Sequence, residues 1–228
     1  MIISVIGLGY IGLPTAAILA SKGIEVIGVE IDQSTINTIN QGKVHIVEPE
    51  LDSLVRTGVQ TRNFRAVRTP QKSNVFIIAV PTPFLQDYSP DLSYIKSAIN
   101  SIAPVLEKGN TIILESTSPV GTTEKMVKWM QLERPDLTFP EFENNAVQAD
   151  ISVAYCPERV LPGHIIRELV ENDRIVGGVT THCAKKAIDI YRIFVKSECM
   201  VTDCRTAELG KLVENSFRDV NIAFANEL

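Results

Sequence analysis

The sequence predicts an α/β fold, a doubly wound and mostly parallel sheet followed by the start of a long central helix. Three observations predict it. Short runs rich in Val and Ile alternate with segments of helical period, the pattern of successive βαβ units. The runs are apolar almost without interruption, as strands covered on both faces must be. A glycine-rich turn joins the first run to the first helical segment. Composition agrees: of 228 residues, 45% are hydrophobic and 21% charged, as in an ordinary globular chain. The net charge of -5 speaks against binding nucleic acid through bulk positive charge.

Residues 2–6 open the chain as a strand, and residues 10–22 follow as a helix. No charge falls between Ile2 and Ala20, yet neither a signal sequence nor a membrane span is expected here. Only Met1 precedes the run, and Gly7, Gly9, Gly12 and Pro14 interrupt it. Strands are then expected at 25–30, 75–80 and 111–115, with helices at 33–41, 92–106 and 122–131 between them. Residues 135–150, of mixed composition, form an excursion or loop. Further short strands fall at 153–156, 174–178 and 199–202, with a helix at 183–194. From Arg205 onward, Leu209, Leu212, Val213, Phe217, Val220 and Phe224 recur at helical spacing as an apolar stripe. No stop signal closes that helix, so the chain is expected to be the N-terminal part of something longer. Cys156, Cys183, Cys199 and Cys204 form no CxxC pair and no zinc spacing. They point to a reducing, cytoplasmic setting and to no metal site.

Gly7-Leu8-Gly9-Tyr10-Ile11-Gly12 lies between a strand and a helix, the context a dinucleotide fingerprint requires. The first glycine permits the tight turn, the second admits the pyrophosphate to the backbone, and the third lets helix and strand pack closely. The pyrophosphate then meets the free N–H groups of the helix N-terminus. Glu30 ends the second strand, about 20 residues on, where a carboxylate accepts the ribose hydroxyls and repels a 2′-phosphate. Asp32 is its competitor. No Lys or Arg lies between Ile31 and Gln41, so NAD is expected rather than NADP. Val80-Pro81-Thr82-Pro83 and the segment from Glu115 through Thr117 to Gly121 follow strands at their carboxyl ends, where such sheets bind ligands. Thr82 and Thr117 are therefore candidates for the nicotinamide half. A Rossmann-like domain over residues 1–202 results, with residues 203–228 beginning the central helix.

Those motifs, with Cys156-Pro157-Glu158-Arg159-Val160-Leu161-Pro162-Gly163 and Lys211…Asn215, occur in the order seen in nucleotide-sugar 6-dehydrogenases, which the chain resembles over nearly its whole length. The resemblance implies oxidation of a sugar C6 alcohol to a carboxylate with two NAD. The cofactor contacts it implies are Gly7, Gly9, Tyr10, Ile11, Gly12, Glu30, Thr82, Thr117 and Thr123. Lys211 is implied to stabilise the alkoxide and later oxyanions, with Asn215 sharing that oxygen or positioning a water. Glu158 is implied to assist proton transfer to the water that hydrolyses a thioester. Arg159, Val160 and Arg218 are implied contacts of a UDP-sugar. UDP-glucose dehydrogenases usually carry Pro-Glu-Phe-Leu where this chain has Pro-Glu-Arg-Val, which favours UDP-N-acetylmannosamine. UDP-N-acetylglucosamine, UDP-glucose, or a non-catalytic NAD-binding module are the alternatives. The resemblance also implies a homodimer built on the long helix, a C-terminal nucleotide-sugar domain, and a nucleophilic Cys in a Gly-Gly-His-Cys motif. None of the four cysteines stands in such a motif, and Cys156 reads as a small buried hydrophobe.

Overall fold

The computed structural model describes residues 1–142, 144 and 149–228; part of the expected 135–150 excursion, residues 143 and 145–148, lies outside the described residues. The first half runs β1 (Ile2–Ile6), α1 (Gly12–Ser21), β2 (Glu25–Val29), α2 (Gln33–Asn40), α3 (Leu51–Gln60), β3 (Phe64–Val67), β4 (Val75–Ile78) and α4 (Ser93–Ile102). The second half runs β5 (Thr111–Leu114), α5 (Thr122–Glu133), β6 (Ser152–Tyr155), α6 (Ile165–Glu171), β7 (Arg174–Gly178), α7 (Thr181–Tyr191), β8 (Cys199–Asp203) and α8 (Cys204–Glu227).

The strands form one sheet in the order β3-β2-β1-β4-β5-β6-β7-β8. Neighbours are parallel except β6 and β7, which run antiparallel. From β1 the chain winds outward to β3, then returns to place β4 on the other side of β1. The carboxyl ends of β1 and β4 therefore flank the point where strand order reverses, and the crevice there is where such sheets take ligands.

Helices cover both faces. Leu13, Ile36, Leu51, Ile165 and Tyr191, from α1, α2, α3, α6 and α7, share one core with Ile3, Val5 and Ile77. Ile95, Met126 and Ala207, from α4, α5 and α8, close the other over Phe76, Ile112 and Val153. Strands β4, β5 and β6 are buried at every residue, which explains their unbroken apolar runs. In α1, nine of ten residues are buried, so its lack of charge reflects enclosure on several sides rather than a membrane. Among the described residues, no helix is long and apolar enough to cross a membrane. Each fully enclosed Leu or Ile contributes about 1.5–3 kcal/mol.

Three elements had no forecast. In α3, Gly58 weakens the helical signal, and packing explains it: a Cβ there would meet Phe64 Cβ at 3.0 Å and Ala20 Cβ at 3.3 Å. In β3, exposed Arg65 breaks a four-residue apolar run on an edge strand. α6 has only seven residues. The expected helix at 92–106 ends instead at Ile102 and tightens into a 3₁₀ turn over Ala103–Val105, where Pro104 denies a donor to the α-helix. The long helix spans 24 residues, about 36 Å at 1.5 Å per residue. Only Cys204, Ala207, Glu208 and Lys211 of it are buried; Phe217, Val220 and Phe224 stand in solvent.

Candidate active site

The glycine turn is set by packing at two of its three positions. Gly7 has φ 91°, and a Cβ on it would approach the Ala79 carbonyl to 2.8 Å. A Cβ on Gly12 would lie 1.9 Å from the Gly7 carbonyl oxygen. Gly9 differs: among the described residues nothing lies within 4 Å of where its Cβ would be, and it is exposed. The protein does not need a glycine there, but a phosphate approaching the backbone would. Behind it, α1 begins at Gly12 with no acid in its first turn and no side-chain cap among the described residues. The Leu13 N–H donates to the Gly9 carbonyl at 3.1 Å and Pro14 has no N–H, so an anion here would meet the glycine-turn backbone and the positive end of α1. Tyr10 is exposed beside them.

Glu30 stands one residue past β2, which ends at Val29. Its carboxylate accepts from the N–H groups of Leu8 at 3.1 Å, Ile31 at 2.8 Å and Asp32 at 3.2 Å, reaching across to the glycine turn. Asp32 is engaged elsewhere. It caps α2, accepting from the Thr35 hydroxyl at 2.7 Å and the Thr35 N–H at 2.8 Å, and those bonds hold its carboxyl below the usual range.

Beyond the turn, a cleft of ≈ 270 Å³ opens at the carboxyl ends of β4 and β5. Ile11, Thr82, Ser116, Thr117, Glu158, Val160 and Lys211 are among its walls. The Thr82 hydroxyl donates to the Thr117 carbonyl at 2.7 Å, and the Ser116 hydroxyl to the Val80 carbonyl at 2.7 Å. The two strand-end loops are thereby tied together. Lys211 enters from α8, and burial pushes its ammonium below the ordinary lysine value, with Glu214 pulling the other way. Asn215, one turn on, is exposed, as is Arg218.

Thr123 lies at the start of α5. It is wholly buried, and its hydroxyl and N–H both donate to Glu208 Oε1, at 2.7 and 2.8 Å. Gly121 N–H donates to the other oxygen of Glu208 at 2.6 Å. Thr123 thus anchors α8 to the start of α5 and is not among the residues lining the cleft.

Glu158 is buried and ion-paired with buried Arg174 at 2.7 Å. Cys156 is fully enclosed, and burial pushes its thiol up to about 12, so it is not a nucleophile. Arg159 lies on the rim, 3.0 Å from Glu214, which also meets Arg218 at 3.1 Å and Lys211 at 3.9 Å. Sequence reasoning missed Glu214, Glu208 and Glu115. Glu115 alone carried a signal, an acid ending a buried apolar strand. The other two look like surface helix residues until the tertiary contacts are known.

Residues 1–195 match the UDP-glucose/GDP-mannose dehydrogenase family, NAD binding domain. The chain is 60% identical over 226 residues to NDP-N-acetyl-D-galactosaminuronic acid dehydrogenase of Ralstonia nicotianae, and 59% identical to UDP-N-acetyl-D-mannosamine dehydrogenase of Escherichia coli. Each match takes in 99% of this chain and 53% of the relative. The chain thus spans about half the length of the curated relatives it matches. A solved UDP-N-acetyl-mannosamine dehydrogenase from Staphylococcus aureus superposes with a TM-score of 0.90 at 46% identity, over 100% of this chain and 53% of that one. A GDP-mannose dehydrogenase from Pseudomonas aeruginosa gives 0.88 at 27% identity, over 100% and 52%.

Proposed function

Since this chain belongs to the UDP-glucose/GDP-mannose dehydrogenase family, with its NAD-binding domain in residues 1–195, we propose that it is the cofactor-binding half of an enzyme oxidising UDP-N-acetylmannosamine at C6. The observation that carries the reading is the meeting of Lys211 and Glu158, from separate elements, with Thr82 and Thr117 in one cleft at the strand-order reversal. NAD, when bound, supplies the hydride acceptor. Gly9 and the α1 N-terminus hold its pyrophosphate, Glu30 its adenosine ribose, and the Thr82 and Thr117 loops border its nicotinamide. Lys211 would present a partly desolvated ammonium to the C6 oxygen as it gives up its proton and becomes an alkoxide, where low dielectric makes a fixed cation effective. Glu158 takes a proton from the hydrolytic water. Asn215, Arg159, Val160 and Arg218 meet the substrate as a further domain closes over them. We place the boundary at residues 202 and 203, the partner in a homodimer on the exposed stripe of α8, and the protein in the cytoplasm, where its four unpaired thiols persist.

Relatives at 60% and 59% identity are named for different sugars, so the assay compares sugars directly. Whole-length protein is mixed with NAD and, separately, with UDP-N-acetylmannosamine, UDP-N-acetylgalactosamine, UDP-N-acetylglucosamine and UDP-glucose. Two NADH per UDP-N-acetylmannosamine and little from the others supports the assignment. Preference for another sugar moves the substrate, and no NADH from any of them leaves a non-catalytic NAD module.

A further inference from the structure

The loop from Cys156 to Gly163, which carries Glu158, Arg159 and Val160, is fastened differently at its two ends. At the β6 end, Glu158 pairs with Arg174 at 2.7 Å and Arg159 with Glu214 of α8 at 3.0 Å. At the α6 end, the loop and the helix after it form a self-tied unit. Leu161 N–H donates to Glu168 at 2.7 Å, and the Asn172 side chain donates to the Arg159 carbonyl at 2.7 Å. Neither bond fixes where that unit sits, because both partners move with it.

Glu48 supplies a fixed point from outside the unit. It lies in the connection between α2 and α3, 115 residues before Gly163, and is only 7% exposed. Its Oε2 accepts from Gly163 N–H at 2.8 Å and its Oε1 from Ile165 N–H at 2.7 Å, so both carboxylate oxygens are engaged at the junction of loop and helix. Ile46 and Leu51, on either side of Glu48, share a core with Ile165 and Leu169 of α6, so the two bonds lie against apolar packing, where they are stronger than in water. Two residues on, Glu50 adopts φ 67°, a region that side-chain-bearing residues seldom enter and that persists only where the surroundings dictate it.

We propose that Glu48 is a positioning residue for sugar binding: its two bonds fix the α6 end of the loop, and through it Val160, against the first half of the fold. The proposal rests on the functional reading above, in which Arg159 and Val160 meet the nucleotide sugar. Glu48 is not among the residues lining the cleft, so it acts only through the loop. The two anchorages divide the work. When Glu48 is lost, Glu158 keeps its place through Arg174, and the proton-transfer step is spared. Gly9, Glu30 and Thr82 belong to other segments, so the cofactor is spared too. Val160, on the wall of the cleft and three residues before Gly163, depends on the α6 end.

The test separates sugar from cofactor. Glu48→Gln keeps the size of the side chain but turns an amide NH₂ toward one of the two donors. In whole-length protein with NAD, its KM for UDP-N-acetylmannosamine is expected to rise about tenfold, the weight of one hydrogen bond to a charged group. Its kcat and its calorimetric Kd for NAD should stay at wild-type values. In this chain, amide hydrogen exchange should quicken over residues 160–165 and not over residues 2–20. Glu48→Asp keeps both oxygens but draws them back by one methylene; it should show the same split, and it carries the test if Glu48→Gln fails to fold. An unchanged KM overturns the proposal. So do losses in kcat and NAD affinity as large as the rise in KM, which would mark general loosening. If the wild type forms no NADH from any UDP-sugar, the functional reading falls and the role in sugar binding with it, while quickened exchange over residues 160–165 leaves the loop anchorage standing.

Discussion

On the functional reading proposed above, a single side chain is expected to set which cofactor the turn accepts. Glu30 reaches the glycine turn through Leu8 N–H, while Asp32 is committed to capping α2. Charge-assisted hydrogen bonds contribute roughly 1.5–3 kcal/mol, so Glu30→Ala is expected to weaken NAD binding by about 10–100-fold. Calorimetric titration of the wild type with NAD and NADP checks the other half; equal affinities refute the role given to Glu30. The glycines separate by packing. Gly9→Val places its side chain in open space, so NAD binding should vanish while circular dichroism and Tm stay as in the wild type. Gly12→Val drives its Cβ into the Gly7 carbonyl and should unfold the domain. Glu115 provides a pH signature. Its folded value, about 7, stands above the ordinary 4.5, so the folded state binds the extra proton between those values. Linkage then makes stability fall as pH rises through that window, by at most about 3 kcal/mol. Urea unfolding at pH 5 and pH 8 should show that loss in the wild type and not in Glu115→Gln. These residues were legible unequally. The glycines and Glu30 announce themselves by distance along the chain, whereas the enclosure of Glu115 depends on Tyr191, 76 residues away.

At the scale of elements, α8 matters less as a long helix than as the carrier of two buried side chains one turn apart. Glu208 clamps the start of α5 through three donors, and Lys211 enters the cleft. Glu208→Ala leaves the half-buried Gly121 and the buried Thr123 N–H groups without their acceptor, at a cost of about 2–4 kcal/mol. Faster amide exchange at Gly121 and Thr123 than in the wild type would report the loosened junction; unchanged exchange would mean the clamp is idle. The apolar stripe of α8 was legible from period alone, and so were the strands of the sheet centre. α3, β3 and α6 were not, because Gly58, Arg65 and a seven-residue length each mimic a loop. What justifies Gly58 is the closeness of Phe64 and Ala20, a property of packing.

Across the whole molecule, the exposed Val213, Phe217, Val220 and Phe224 line one apolar strip along α8, a surface suited to a partner. Self-association is therefore expected in sedimentation velocity at micromolar concentration, and Phe217→Lys with Phe224→Lys should return a monomer. A wild-type chain that stays monomeric would remove the homodimer from the functional reading. The sequence by itself determined the alternation of strand and helix, the dinucleotide turn and the preference for an acid at Glu30. Each depends on neighbours within one βαβ unit, where spacing along the chain is spacing in space. Only the tertiary structure decided that Thr123 bonds Glu208, that Asp32 is a cap beside a Glu30 turned to the glycine turn, and that Tyr191 and Arg174 stand between Glu115 and Glu158. Those outcomes turn on burial and on contacts between distant elements, and a side chain's partners there are chosen by the packing of the sheet rather than by the order of the residues.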